Sequence, residues 1–512
     1  VADLVVHRCA LVNRFLVFGH GGVFLTRDIS LCPRTRGVPS RADTDTISTL
    51  TVERREGMVD TLIADGEVVT AQERTPADIA VEDGEITAVS TNIEVEADRR
   101  IDASGKLVLP GVIDPHVHVE WPDWEYDVGA RHGGRAAAAG GVTSVINFLV
   151  GPPGELETSY QEFRAAMSDH FLGDFSFHVA VFTMEQVRKV PQFVEEEGIT
   201  SFKLFLPYRG EEVVEPLVGI DDGIVYKLLE EIAAVDDEYG ARALVHPENV
   251  EPAFKIKDEM RERGETGDSV ATWNDVRPDF LEADAINRLM LFADETGCPL
   301  HFVHMSSEKG LRAFQRNQSR TRAEVTSEAQ VQYLTEDARD HDRLAKVNPP
   351  IRTDAEHEAL WEGVRRGDIK FLDSDHAPCA REHKPNIWDA TVGIPHLQTW
   401  FPSILTEVLD EGHISLPKLV ETTSYNPAEH YGLTPRKGGF WAGADADLII
   451  VDPDSRTEVR EEDMLDQSDF TPFEGRSFVF PELTMSRGDV IYADGEVTGE
   501  EGRGEFLARP EP

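Results

Sequence analysis

The chain has 512 residues, of which 40% are hydrophobic and 28% charged, with a formal net charge of −45. That length is too great for one small domain, but it suits an α/β barrel of ~250 residues with a smaller companion. No run of about 18 apolar residues occurs, which argues against a membrane span, and the acidic excess argues against nucleic acid and anionic membranes as partners.

Of the 50 basic residues only 12 are lysine and 38 are arginine. So acidic a surface repels itself unless salt screens it, and molar salt shortens the screening length to about 3 Å. A halophilic, archaeal source is therefore expected. Cys9, Cys32, Cys298 and Cys379 are scattered and suggest no disulfide framework, which fits a cytoplasmic protein.

Residues 1–57 hold no lysine, eight arginines and six acidic residues. Their apolar stretch, Leu11–Leu25, is broken by Asn13, Arg14, His20, Gly21 and Gly22, a poor signal-peptide core. A disordered or mis-set extension is expected there. From Val59 to Leu109 short β-type runs are punctuated by Asp65-Gly66 and Asp83-Gly84, and the same signature returns at Asp494-Gly495 after the apolar run Leu448–Val451. Each Asp-Gly is a hairpin signal. Residues 58–110 and 436–500 are expected to build one small β-sandwich domain from both chain ends.

Between them, over residues 111–435, strand-like and helix-like segments alternate. The strand candidates are Val112–Val119, Val142–Leu149, Phe175–Phe182, Ser201–Leu206, Ala243–His246, Leu300–Met305, Ala323–Thr326 and Ile369–Ser374. Amphipathic stretches such as Asp222–Tyr239, Phe280–Thr296 and Asp354–Arg366 lie between them. Eight βα repeats predict a closed (β/α)8 TIM barrel; an open doubly wound sheet is the alternative.

Chemistry-bearing residues recur where these strands end. Asp114-Pro115-His116-Val117-His118 closes the first. Strand side chains alternate, so His116 and His118 share a face, and two neutral imidazoles at that spacing suit a metal ion. Such pairs also occur as surface accidents. Lys203 lies in the apolar fourth run, Ser201–Leu206. A buried ammonium tends to deprotonate, and a neutral amine reacts with CO2 to give a carbamate able to bridge two cations. A lysine snorkelling to solvent is the plainer alternative. The fifth strand ends at His246, the sixth carries His301 and His304, and the eighth carries Asp373 and Asp375. His304 and Asp375 lie nearer the mouth, where barrel active sites form, and His301 reads as structural. The remaining histidines, such as His132, His170, His178, His357 and His413, read as ordinary surface or core residues.

The ordered set Asp-Pro-His-Val-His, Phe-Lys-Leu-Phe, Val-His-Pro-Glu-Asn, Val-His-Met-Ser-Ser and Ser-Asp-His-Ala-Pro resembles the amidohydrolase superfamily, in its dihydropyrimidinase, hydantoinase and allantoinase branch, from about Val59 to about Val451. The resemblance implies two divalent metal ions, usually zinc, bridged by a CO2-derived carbamate on Lys203. His116, His118, Lys203 and Asp375 would hold one ion, and Lys203, His246 and His304 the other. It further implies an oxyanion-stabilising Tyr208, a substrate loop Lys346–Arg352 with Asn348 as contact, and a second loop placing the backbone of Val392 or Gly393 near the ring. The implied reaction is hydrolytic opening of a cyclic amide by a metal-bridging hydroxide, with Asp375 carrying the proton. A homotetramer is the family's usual assembly.

The substrate is less legible. Dihydroorotases of the superfamily place an arginine two residues after the second histidine, whereas here stands Glu120, followed by Trp121, Trp124 and Tyr126. A neutral or apolar-substituted ring, a dihydropyrimidine or 5-substituted hydantoin, is therefore favoured. By resemblance, the Ser-Asp-His-Ala-Pro and Lys346–Arg352 segments lean towards allantoinases or dihydroorotases, and a helix after the eighth strand, carrying Leu397-Gln398, towards allantoinases. A non-catalytic dihydropyrimidinase-like interaction protein would have lost metal ligands, and a one-metal deaminase would have no need of Lys203.

Overall fold

The structure, a computed structural model, describes residues 58–122, 124–212, 218–265 and 267–509. The expectation for residues 1–57 lies outside the described residues. The chain enters through five strands: β1 (Val59–Val69), β2 (Arg74–Glu82), β3 (Glu85–Ser90), β4 (Ala97–Asp102) and β5 (Leu107–Pro110). Asp83-Gly84 turns β2 into β3, as expected. Asp65-Gly66 does not turn the chain. It forms a bulge within β1, with Asp65 at φ 62° and a register shift between Ile63 and Gly66. The bulge divides β1 into a first half paired with β4 and a second half paired with β5. Asp78 Oδ1 accepts the Asp65 N–H at 2.8 Å, satisfying a donor that the bulge takes out of the ladder.

The next eight strands form one parallel sheet: β6 (Val112–Val117), β7 (Val142–Leu149), β8 (Asp174–Ala180), β9 (Ser201–Phe205), β10 (Arg242–His246), β11 (Leu300–Phe302), β12 (Val325–Gln330) and β13 (Phe371–Asp373), paired in sequence order. β7, β8 and β9 are buried along their whole length, as expected of parallel strands covered on both faces. A bridge between Val117 and His376 joins the two ends of the sheet, and His118 N donates to His376 O at 2.7 Å. The result is a nearly closed (β/α)8-like barrel.

The helix Asp222–Tyr239 begins where Asp221 Oδ1 caps the Ile224 N–H and ends at Gly240 with φ 66°. The helix Phe280–Thr296 ends at Gly297, φ 76°. Four segments differ from expectation. The seventh strand starts at Val325 and runs to Gln330. The sixth and eighth stop at Phe302 and Asp373, short of His304 and Asp375. Leu397 and Gln398 precede the helix Trp400–Glu411 rather than lie within it.

The chain then returns to the first sheet through β14 (Leu448–Val451). A small separate hairpin, β15 (Thr457–Glu458) with β16 (Ser477–Phe478), follows. β17 (Pro481–Ser486), β18 (Asp489–Ala493) and β19 (Glu496–Val497) complete one mixed sheet of nine strands with β1–β5 and β14. Ile63, Val68, Ile79, Val108, Leu448, Ile450 and Met485 form its buried apolar cluster. Residues beyond 500 run back to the barrel, where Phe506 bridges Phe175 in β8. No helix among the described residues is long and apolar enough to cross a membrane.

Candidate active site

One cavity, with about 520 Å³ of empty space counted out to the solvent, opens beside the C-terminal ends of the barrel strands. His116, His118, Lys203, Tyr208, His246, His304, Asn348, Asp375, Val392 and Gly393 all line it. The structure therefore brings together every residue expected as a metal ligand, a catalytic group or a ring contact.

His116 and His118 come from the end of β6, and Asp375 follows β13. Asp375 Oδ1 lies 3.2 Å from His116 Nε2 and 3.6 Å from His118 Nε2. These three offer ligand atoms within 4.8 Å of one another. On the other side, the His246 and His304 rings pack edge to face with centroids 4.0 Å apart. Strand alternation does not place His304 or Asp375. Both lie past their strands with left-handed backbone, φ 45° and 50°. Non-glycine residues rarely hold that conformation, and where they do it often aims a side chain at a site.

Lys203 is fully buried in β9. Its Nζ has no hydrogen-bond partner among the described residues and sits 4.4 Å from the Phe148 ring centre and 4.9 Å from that of Phe205. It does not snorkel. It lines the same cavity as His116, His118, His246, His304 and Asp375. Burial pushes its pKa down to about 8. About one molecule in ten then carries a neutral amine at pH 7, against fewer than about one in a thousand for an exposed lysine.

Burial also lowers His246 to about 4 and holds His118 and His304 well below the usual imidazole value, so all three stay neutral. For Asp375 burial favours the acid, but His116, His118 and Lys203 outweigh it and keep the carboxylate. Among the described residues neither ring nitrogen of His304 has a hydrogen-bond partner. Neutral imidazoles, an ionised carboxylate and an unpartnered amine form a donor set suited to divalent cations.

Among the described residues two groups meet the spacing for a metal inside the barrel: His116 with His118 and Asp375, and His116 with Glu328 and Asp373. In the second, Glu328 already bonds His116 Nδ1 and His301 Nε2, and Asp373 accepts from Gln330. A third cluster, Asp174, Asp445 and Asp447, surrounds the Lys437 ammonium.

Lys384 holds the two loops at the cavity's edge together. Its Nζ donates to Lys346 O at 3.2 Å and to Gly393 O at 2.6 Å, and Gly393 N donates to Lys346 O at 3.0 Å. Gly393 has φ 119°, and a Cβ there would meet Ala377 O at 2.6 Å, so no larger residue fits. Asn348 Oδ1 accepts from Trp273 Nε1 at 2.9 Å. Trp121, Val150, Phe205, Val347 and Ala377 complete the lining; Trp121 stood out by its aromatic neighbours, Phe205, Val347 and Ala377 lie within the segments that carry the resemblance, and nothing marked Val150.

The amidohydrolase family model matches residues 107–490. The chain belongs to the amidohydrolase family. This amidohydrolase is 32% identical over 469 residues to an L-hydantoinase of Paenarthrobacter aurescens, covering 88% of this chain and 98% of that one. It is 30% identical over 464 residues to an allantoinase of Bacillus licheniformis, covering 88% and 99%. Among solved structures, it superposes on a dihydropyrimidinase from Brevibacillus agri with a TM-score of 0.81 at 26% identity, covering 88% of this chain and 98% of that one.

Proposed function

We propose that this amidohydrolase opens a cyclic amide by hydrolysis, with a dihydropyrimidine or 5-substituted hydantoin as substrate. The observation that carries the proposal is one cavity with Lys203, four imidazoles and Asp375 in its wall, and otherwise mainly apolar or aromatic side chains. No arginine lines it among the described residues, which disfavours an anionic ring such as dihydroorotate.

His116, His118, Asp375 and a carbamate on Lys203 would hold one divalent ion, and His246, His304 and the same carbamate a second, with zinc as the expected metal. When bound, such ions supply Lewis-acid charge and lower the pKa of water towards 7. Asp375, kept ionised, takes the proton of the attacking water and returns it to the ring nitrogen as the C–N bond breaks. Burial raises the Tyr208 hydroxyl well above the usual phenol value, so it stays protonated and donates to the carbonyl oxygen as charge develops. Asn348, Val392 and Gly393 bound the ring. Gly393 N is engaged with Lys346, Gly393 O with Lys384 and Val392 O with Trp121, so a ring contact there would use the second lone pair of a carbonyl.

Two further features support finer readings. The unpaired, buried thiols Cys298 and Cys379 suit a reducing cytosol. The net charge of −45 suits a salt-rich interior.

The test is ring opening by metal-loaded protein in molar KCl, with dihydrouracil, hydantoin, allantoin and dihydroorotate in parallel. Turnover of dihydrouracil or hydantoin supports the proposal. Selective turnover of allantoin would move the assignment to the second reading, and dihydroorotate turnover would contradict the neutral-ring argument.

A further inference from the structure

His246, Tyr208 and Asn348 in the cavity wall all lead back to one arginine behind it. Arg277 follows the helix Val270–Val276 directly, and its side chain is fully buried. Its Nη1 donates to Glu248 Oε2 and its Nη2 to Glu212 Oε2. The two carboxylates come from different loops. Glu248 stands just past the end of β10, and Glu212 ends a single 3-10 turn, Gly210–Glu212, beyond β9.

Each carboxylate adjoins a residue of the site. Glu248 Oε2 lies 3.4 Å from His246 Nε2, which leaves Nδ1 of that ring for a cation. A carboxylate on the second nitrogen of a ligand imidazole fixes its tautomer and orientation. Glu212 is tied to the Tyr208 segment because its N–H donates to Arg209 O at 3.2 Å. The Tyr208 ring packs edge to face on His246, with centroids 5.9 Å apart. A third connection runs through Trp273. The Arg277 guanidinium carbon sits 5.1 Å from the Trp273 ring centre, and Trp273 Nε1 donates to Asn348 Oδ1.

We propose that Arg277 is a positioning residue for the ring-opening site, orienting His246 through Glu248 and Tyr208 through Glu212. The proposal rests on the ring-opening reading above. One carboxylate would neutralise a buried guanidinium. The second carboxylate, from another loop, turns the pair into a link between a metal ligand and the oxyanion donor. A guanidinium presents its donors in a rigid plane and can hold both at once, whereas an ammonium is a point charge on a flexible stem.

The test compares Arg277→Lys, Glu248→Gln and Glu212→Gln with wild type. Two quantities are read: zinc retained after dialysis against graded chelator, and kcat and KM for the ring that wild type opens. Glu248→Gln should hold zinc about ten- to a hundredfold more weakly. Glu212→Gln should hold zinc as wild type does and lose about tenfold or more in kcat, because only the Tyr208 arm is cut. Arg277→Lys should show both defects at a temperature where circular dichroism finds it folded. A merely structural pair would lower Tm and leave zinc retention and kcat at wild-type values; that result in Arg277→Lys overturns the proposal. If wild type opens no ring, the ring-opening reading fails and zinc retention alone decides. A tenfold loss in Arg277→Lys then sustains the proposal, and wild-type retention overturns it. Should Arg277→Lys fail to fold, the two glutamate variants decide: separate zinc and kcat defects sustain the proposal, and wild-type behaviour or identical defects in both overturn it.

Discussion

Glu328 binds His116 Nδ1 through one carboxylate oxygen and His301 Nε2 through the other. His116 is thereby held in one ring orientation, with its Nε2 facing Asp375. Burial raises the Glu328 carboxyl, but the two imidazoles outweigh that and hold it well below the usual carboxylate value. Partners of this kind fix a ligand's tautomer, and losing one weakens metal binding by about ten- to a hundredfold. Glu328→Gln should lower metal affinity by that factor, read as metal retained after dialysis against graded chelator. Retention equal to wild type would show that His116 is oriented by packing alone.

Lys203→Ala should remove bound metal and turnover together, because the amine shares one cavity with both pairs of histidines. Metal per chain, measured by elemental analysis, should fall from two to one or none. A variant that kept two metals and full turnover would refute the bridging role.

Asp375→Asn keeps the side chain's shape and removes its charge. Ring opening should fall by about a hundredfold to ten-thousandfold, while substrate binding, read by calorimetry, survives. Because Asp375 is also a proposed ligand, metal content is measured on the same sample. A near-normal rate with full metal would eliminate it as the proton carrier.

Burial pushes the Lys384 amine from 10.5 down to about 8. Between those values the unfolded chain binds a proton that the folded chain does not, so stability rises with pH across that window. Below about 8 both states are protonated and the penalty of burying the charge is constant. The wild-type protein should gain on Lys384→Met by up to about 3 kcal/mol between pH 8 and 10.5, read by urea unfolding at both ends. Parallel pH profiles would show that the amine keeps its ordinary pKa. The variant should also raise KM more than it lowers kcat, because two loop carbonyls lose their shared donor.

Local signals were the most legible in the sequence. The helices Asp222–Tyr239 and Phe280–Thr296 have the expected bounds, since a capping side chain or a terminal glycine acts within one turn. His116, His118 and Lys203 stood out because polar groups at those places break an apolar strand pattern. The same effect hid β12. Its Ser327, Glu328 and Gln330 are buried polar residues, so the segment did not look like a core strand, and the partner of His116 went unseen with it. The Asp65-Gly66 pair misled for a related reason: positive φ serves a bulge as well as a turn, and only the pairing of β1 with both β4 and β5 distinguishes them. The backbone reversals at His304 and Asp375 come from long-range packing and leave no mark on the residues themselves.

The seam where Val117 meets His376 joins the first and last strands of the barrel, and the His116–His118–Asp375 group straddles it. Some 250 residues of chain separate its two halves, so this group does not exist until the ring of strands is shut. A cation held there would act as a rivet across the closed seam, and the metal-free protein is expected to breathe first along that line.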